Sequence, residues 1–242
     1  MRNPASLRER QRRPWYGSAT RRIRAVMEIE RSVVVSAIRN GDTPALEIRY
    51  DRWAAALDAI YYNVGIQFAS YDHAVMTGVE IDTTAFRKQA DDDKRRTVSR
   101  WANFIRGYSA GEIYRRASGI IDTTRKKIVQ LVEDADDIAQ AVTGVNDSYE
   151  RDMESRAPQI ATIVAAASNL GILAARHVLG ITNKTWMAVM DDVTRDTHRD
   201  AHNQTVRTSE PFIVGGFELM FPGDTSRGAP LSEVINCRCT VE

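Results

Sequence analysis

From about residue 20 to residue 180 the apolar positions recur at helical spacing. Ile23, Val26, Met27, Val34, Ala37 and Ile38 fall mostly on one stripe, which stops at the helix-ending pair Asn40-Gly41. Asp42 or Thr43 is placed to cap a second helix with Pro44 in its first turn. That helix carries Leu46, Tyr50, Trp53, Leu57, Ile60, Val64, Phe68, Tyr71 and Val75 at steps of three and four, a seam for a facing helix. Gly78 breaks the pattern, and the charge run 91–96 reads as a solvated helix face. Trp101, Phe104, Ile105 and Tyr108 resume a stripe up to Gly111, which predicts a helical hairpin or bundle over 25–115. Asp122 reads as the N-cap of a further helix bearing Ile128, Leu131, Val132 and Val142, with a break at 133–136. Gly144 and Asn146 read as part of a turn, and Pro158 opens an alanine-rich helix ending near Gly180. Its uncharged run 157–175 contains Pro158, Gln159, Thr162, Ser168 and Asn169, so it reads as a buried helix and not a membrane span.

Beyond Gly180 the period shortens. Gly215-Gly216, Pro222-Gly223-Asp224, Gly228 and Pro230 punctuate short β-type runs at 212–214, 217–221 and 234–241, with a short helix expected around His198. The expected fold class is therefore mainly α: an elongated helical region followed by a small C-terminal α+β unit over 183–242. A unit of about 60 residues commonly needs a staple.

Composition adds one feature. Of the 242 residues 43% are hydrophobic and 27% charged, an ordinary globular balance that excludes a disordered or collagenous chain. The net charge is only +1, yet Arg2, Arg8, Arg10, Arg12, Arg13, Arg21, Arg22 and Arg24 face a single acid, Glu9, within residues 1–24. The stretch is a basic arm with Trp15 and Tyr16 embedded in it. It suits neutralising DNA phosphates, docking on an acidic protein surface, or a solvated tail.

Two constellations carry chemistry. His198 and His202, at i and i+4, share a helix face if that turn is helical, and Cys237 and Cys239 share a face if they lie in a strand. Two imidazoles and two thiolates suit tetrahedral Zn²⁺, which would clamp the terminus onto the short helix. The alternative is a histidine pair beside two buried reduced thiols. Separately, His198 could serve a hydrolase as a base oriented by Asp192 or Asp196, with Arg195 on phosphate. Its counterpart is an Asp/Thr turn cap with Arg195 paired to a carboxylate such as Asp224. No serine-nucleophile elbow, phosphate-cradling glycine loop or His-Glu-x-x-His is present.

The order Trp186, Asp192-Val193-Thr194-Arg195-Asp196-Thr197-His198, Gly215-Gly216, Pro222-Gly223-Asp224 and Asn236-Cys237-Arg238-Cys239 resembles the C-terminal signature of phage Mu F-like minor head proteins, the head morphogenesis family of tailed bacteriophages. Upstream, 120–142 resembles the family's paired helices and 166–180 its alanine-rich helix, including Asn169. The likeness spans roughly 105–242. Val193 stands where the family usually has Arg, 164–167 lack its Arg-Thr-Glu stretch, and His202-Asn203 replace a common Asp-Gly. The resemblance implies a helical head-morphogenesis region over 116–182 and a Mu F-like unit over 183–242. It implies a non-enzymatic virion component near the portal vertex, present in the host cytoplasm during assembly. Its expected partners are the portal protein, the major capsid protein and genomic double-stranded DNA, with no membrane. A metal-dependent hydrolase or toxin-like domain using His198, His202, Cys237 and Cys239 is the alternative.

Overall fold

The computed structural model describes residues 4–83 and 91–242; Arg2 lies outside them. The chain opens with α1, Pro4–Asn40, which runs through Pro14. Ala5, Arg8, Arg12, Ala19, Ile23, Met27, Glu30 and Val34 make one inward stripe along it. Anchoring on both sides of Pro14 offsets the lost backbone bond that normally breaks a helix there. The basic arm is accordingly corrected: residues 4–24 are the first half of a docked helix, not a flexible tail, and Arg8 and Arg12 are buried.

After a 3₁₀ turn at Pro44–Glu47 comes α2, Tyr50–Thr77, whose Trp53, Leu57, Ile60, Val64 and Phe68 are buried as the seam predicts. Leu46 and Val75, expected on that seam, are 71% exposed, because they lie before and at the end of the true helix. Next is α3, Asp92–Glu133, capped by the Asp91 carboxylate on the Asp93 and Lys94 amides. It passes unbroken through Gly111, Asp122 and the expected boundary at 115, since Ser109, Glu112, Ile113, Ala117 and Ile121 continue one buried stripe. The expected N-cap at Asp122 is thus mid-helix. The break at 133–136 is present, with Asp137 capping α4, Ile138–Ser155. Gly144 and Asn146 lie inside α4 and not in a turn, because Val142, Val145 and Tyr149 bury one face.

At the centre is α5, Ala157–Val178, with every residue from Thr162 to Ala175 buried. By length and composition it would pass for a membrane span, yet here it is the core of the protein. Its small side chains permit close approach to α2: a Cβ on Gly171 would stand 2.1 Å from the Gly65 carbonyl oxygen. Buried ion pairs and hydrogen bonds fix the order of the helices. Asp72 on α2 accepts from Arg8 on α1 at 2.6 Å and Arg176 on α5 at 3.0 Å. Glu30 on α1 accepts from the Trp53 indole at 2.8 Å and the Tyr149 hydroxyl at 3.0 Å.

The small unit follows Gly180. Strand β1, Asn183–Met187, pairs antiparallel with β2, Thr205–Arg207, on one side and with β5, Thr240–Val241, on the other. Strands β3, Phe212–Val214, and β4, Phe217–Leu219, form a hairpin turned by Gly215 and Gly216, both at positive φ. Two short helices complete it: α6, Asp196–Asp200, and α7, Leu231–Val234. The expected strand over 234–241 is corrected: only Thr240 and Val241 are paired, and β1 and β2 are additional.

Candidate metal centre at the chain terminus

The chain after α7 turns at Asn236, which adopts φ 55°, a conformation asparagine tolerates better than most residues. The segment then runs extended, so alternate side chains point opposite ways. Cys237 and Cys239 face inward, 4% and 2% exposed, while Arg238 faces Asp191 in a bidentate pair at 2.6 and 2.5 Å. That fork holds the Asp191 carboxyl at about 2. The Thr194 hydroxyl also donates to Asp191 at 2.9 Å.

From the other side α6 delivers His198. Its Nδ1 lies 3.7 Å from the Cys237 sulfur and 3.4 Å from that of Cys239. Its Nε2 lies 2.9 Å from the Glu233 carbonyl oxygen and 3.4 Å from the Glu233 carboxylate. An Nε2–H donated to that carbonyl leaves the Nδ1 lone pair aimed at the sulfurs, the tautomer a metal-binding histidine requires. All three ligand atoms lie within 4.8 Å of one another, so the trio can hold a metal ion. Zn–N and Zn–S bonds of about 2.05 and 2.3 Å set each N···S edge of a tetrahedron near 3.6 Å. The observed 3.4 and 3.7 Å straddle that value.

The electrostatics favour thiolate. A hydrogen bond from the Cys239 thiol, with further help from His198, holds Cys237 well below the ordinary thiol range despite burial. The same shared proton and burial push Cys239 up. Burial disfavours the His198 cation, but the Cys237 thiolate outweighs it and raises the imidazole. The Trp186 indole is fully buried against His198, edge to face at 5.5 Å. Among the described residues its N–H has no hydrogen-bond partner, and it lies where it favours the Cys239 thiolate.

His202 is a correction. Here α6 ends at Asp200, and the His202 Nδ1 accepts the Ala188 amide at 3.1 Å, so it does not join the trio. Glu233, not Asp192 or Asp196, faces His198, and Asp192 is exposed. Arg195 donates to the Ile235 carbonyl at 2.6 Å instead of pairing with Asp224. Asp224 is buried and accepts the Met220 and Ser226 amides, each at 2.7 Å, which shapes the Pro222-Gly223-Asp224 loop. Gly223, at φ 89°, sits where a Cβ would meet the Ala166 backbone at 3.2 Å.

Sequence reasoning missed the groups that dock this centre. The buried Arg12 guanidinium donates to Ser168 Oγ at 2.7 Å, to Asn169 Oδ1 at 3.3 Å, and to the Arg238 and Cys239 carbonyls at 3.1 Å each. Asn169 in turn donates to the Pro222 carbonyl at 3.0 Å and accepts from the Val241 amide at 3.1 Å. Glu112 on α3 accepts the Thr225 amide at 2.8 Å, beside Arg116, which donates to the Gly223 carbonyl at 2.9 Å. Burial, with Asp224 close by, raises the Glu112 carboxyl. The signal for Arg12 was its place on the Ala5–Arg8–Ala19–Ile23 stripe. The other arm residues Arg10, Arg13, Arg21, Arg22 and Arg24 are exposed.

The family model described as "Phage Mu protein F like protein" matches residues 71–242. It takes in α3 to β5 and thus every ligand of the centre. No curated protein and no solved structure matches the chain.

Proposed function

Because the chain belongs to the phage Mu F-like protein family, we propose that it is a minor head protein of a tailed phage. It acts by contacts at the portal vertex, in the head, and assists assembly, packaging or ejection of the genome. Family membership supports head morphogenesis and virion association; it is the observation that carries this conclusion. In the terminal unit the Nε2 of His198 is held by the Glu233 carbonyl and its Nδ1 lies against both cysteine sulfurs, which suits a clamp between α6 and the chain end.

The exposed arginines of α1 supply a surface for the portal or for DNA, with the major capsid protein as a further neighbour. Arg10, Arg13, Arg21 and Arg24 fall within about 80° of one helix face and span about 21 Å. Replacing these four by alanine should weaken binding and flatten its log–log salt slope on duplex DNA by about 3 to 4. An unchanged slope with DNA and unchanged capture of the portal protein would remove the stripe from the function. Mass spectrometry of purified particles tests the role itself: the protein should be present at low copy relative to the major capsid protein, and its absence would overturn a virion role.

The ion suited to the trio is zinc, since thiolates and imidazole are its preferred donors. In this role it is structural, a clamp between α6 and the chain terminus. Metal analysis of the full chain should find about one Zn²⁺ per chain.

A further inference from the structure

His198, Cys237 and Cys239 would give the proposed zinc three protein ligands, and no fourth His, Cys, Asp or Glu among the described residues joins the group. We propose that the fourth position is open to a small anionic donor, which makes the centre accessible to exogenous ligands and not a sealed four-residue site; this rests on the zinc assignment above. Chain spacing offers His202 as the fourth ligand, but its Nδ1 is occupied by the Ala188 amide and it lies beyond the end of α6. To become a ligand through Nδ1 it must give up that bond. Against the trio lies a void of about 20 Å³, lined also by Thr194 and Arg195. That is room for one water-sized ligand and little more. Cys237 also lies on the wall of a wider groove of about 490 Å³, together with Tyr16, Arg195 and Arg238. A small donor therefore has a vestibule from which to reach the centre.

The charge balance selects the class of donor. Two thiolates and a neutral imidazole neutralise a divalent ion, so the ligands themselves leave no net charge. Arg195 lines the void beside the trio and the Arg12 guanidinium donates to the Cys239 carbonyl at 3.1 Å, while the Glu233 carboxylate lies on the far, Nε2 side of His198. A monoanion in the fourth position is favoured over a neutral or cationic ligand. Hydroxide, chloride and bromide all meet this description, and the narrow void excludes larger polyatomic anions such as carboxylates.

Cobalt(II) titration of the zinc-stripped full chain tests the proposal. One equivalent should give sulfur-to-cobalt charge-transfer absorption and the visible bands of a four-coordinate ion. Chloride or bromide should then shift the visible bands saturably, in the native chain and equally in His202→Ala. Bands indifferent to both anions overturn the open position and leave the zinc assignment standing. A tenfold or greater loss of cobalt affinity in His202→Ala, with its helical circular dichroism unchanged, also overturns it, because the site is then closed by that histidine. If His202→Ala fails to fold, the anion response of the native chain decides alone. Absence of cobalt uptake overturns both the open position and the zinc assignment, while the head-protein role, which rests on the family, is unaffected.

Discussion

The helical body and the terminal unit are held together by different physics. In the body, long stripes of Val, Ile, Leu and aromatic residues on α1 to α5 bury against one another, and a glycine pair lets α2 and α5 touch backbone to backbone. In the terminal unit no strand exceeds five residues. Trp186, Phe212, Leu219, Phe221 and Val241 join the buried apolar cluster of the helices, and single polar atoms add to the docking: Arg12 on the Arg238 and Cys239 carbonyls, Asn169 on Pro222 and Val241, Glu112 on Thr225. Apolar packing is distributed and tolerates loss at one position, whereas a polar clamp fails when one partner goes.

This contrast can be tested from its strongest consequence downward. Arg12→Ala should cost about 3–5 kcal/mol, because it leaves Ser168 Oγ on α5 and the Arg238 carbonyl without a donor and empties a fully buried side-chain site. Hydrogen exchange should show the loss first in β5 and α7, ahead of the helices. Arg13→Ala, on the exposed side of the same turn, should change stability by no more than about 0.5 kcal/mol. Equal effects from the two would mean that the first half of α1 is not docked.

Gly171→Ala probes the body. Its new Cβ meets the Gly65 carbonyl, so the helices must separate, at a cost of about 3 kcal/mol. A thermal melt followed by helical circular dichroism should show the whole transition moving down. A melt that moves only in the terminal unit would contradict the assignment of this contact to the body's core.

The smallest effect concerns Lys184 in β1. It is fully buried, donates to the Met220 carbonyl at 2.7 Å and lies 5.0 Å from the Phe212 ring centre. Burial brings its pKa down to about 8. Between that value and the unfolded lysine value near 10.4, the unfolded chain binds a proton that the folded chain does not. Stability should therefore rise with pH across that window, by about 1–2 kcal/mol. Lys184→Met should lack this rise. Chemical denaturation of both proteins at pH 7.5 and 10 measures the difference, and parallel curves would show that the lysine stays charged in the fold.

Much of this was legible along the chain, and the misses share a cause. The α2 seam, the Asn40-Gly41 stop, the Pro158 start and the approach of His198 to both cysteines all depend on residues within a turn or two of each other, or on a thiol pair with few other uses. Gly111, Asp122 and Gly144 misled because local propensity is a weak preference of about 1 kcal/mol at most, which a continuous buried stripe on α3 or α4 overrides. Arg12 was hidden among seven other arginines, where the ordinary expectation for the residue type is solvent. Asn169 is one of several polar residues in an alanine-rich helix, and only its partners reveal it as a hub.

By itself the sequence determined the helical class, the place where helices give way to short strands, and the family. Those follow from hydrophobic period and from motif order, both of which are written along one dimension. Tertiary structure alone decided that Arg8 and Arg12 point inward, that Glu233 and not an aspartate faces His198, and that His202 is turned to Ala188. Each of these is a choice between near-equal hydrogen-bond partners. It is settled by which carbonyl or carboxylate the folded chain brings within about 3 Å, a distance that no spacing in the sequence encodes.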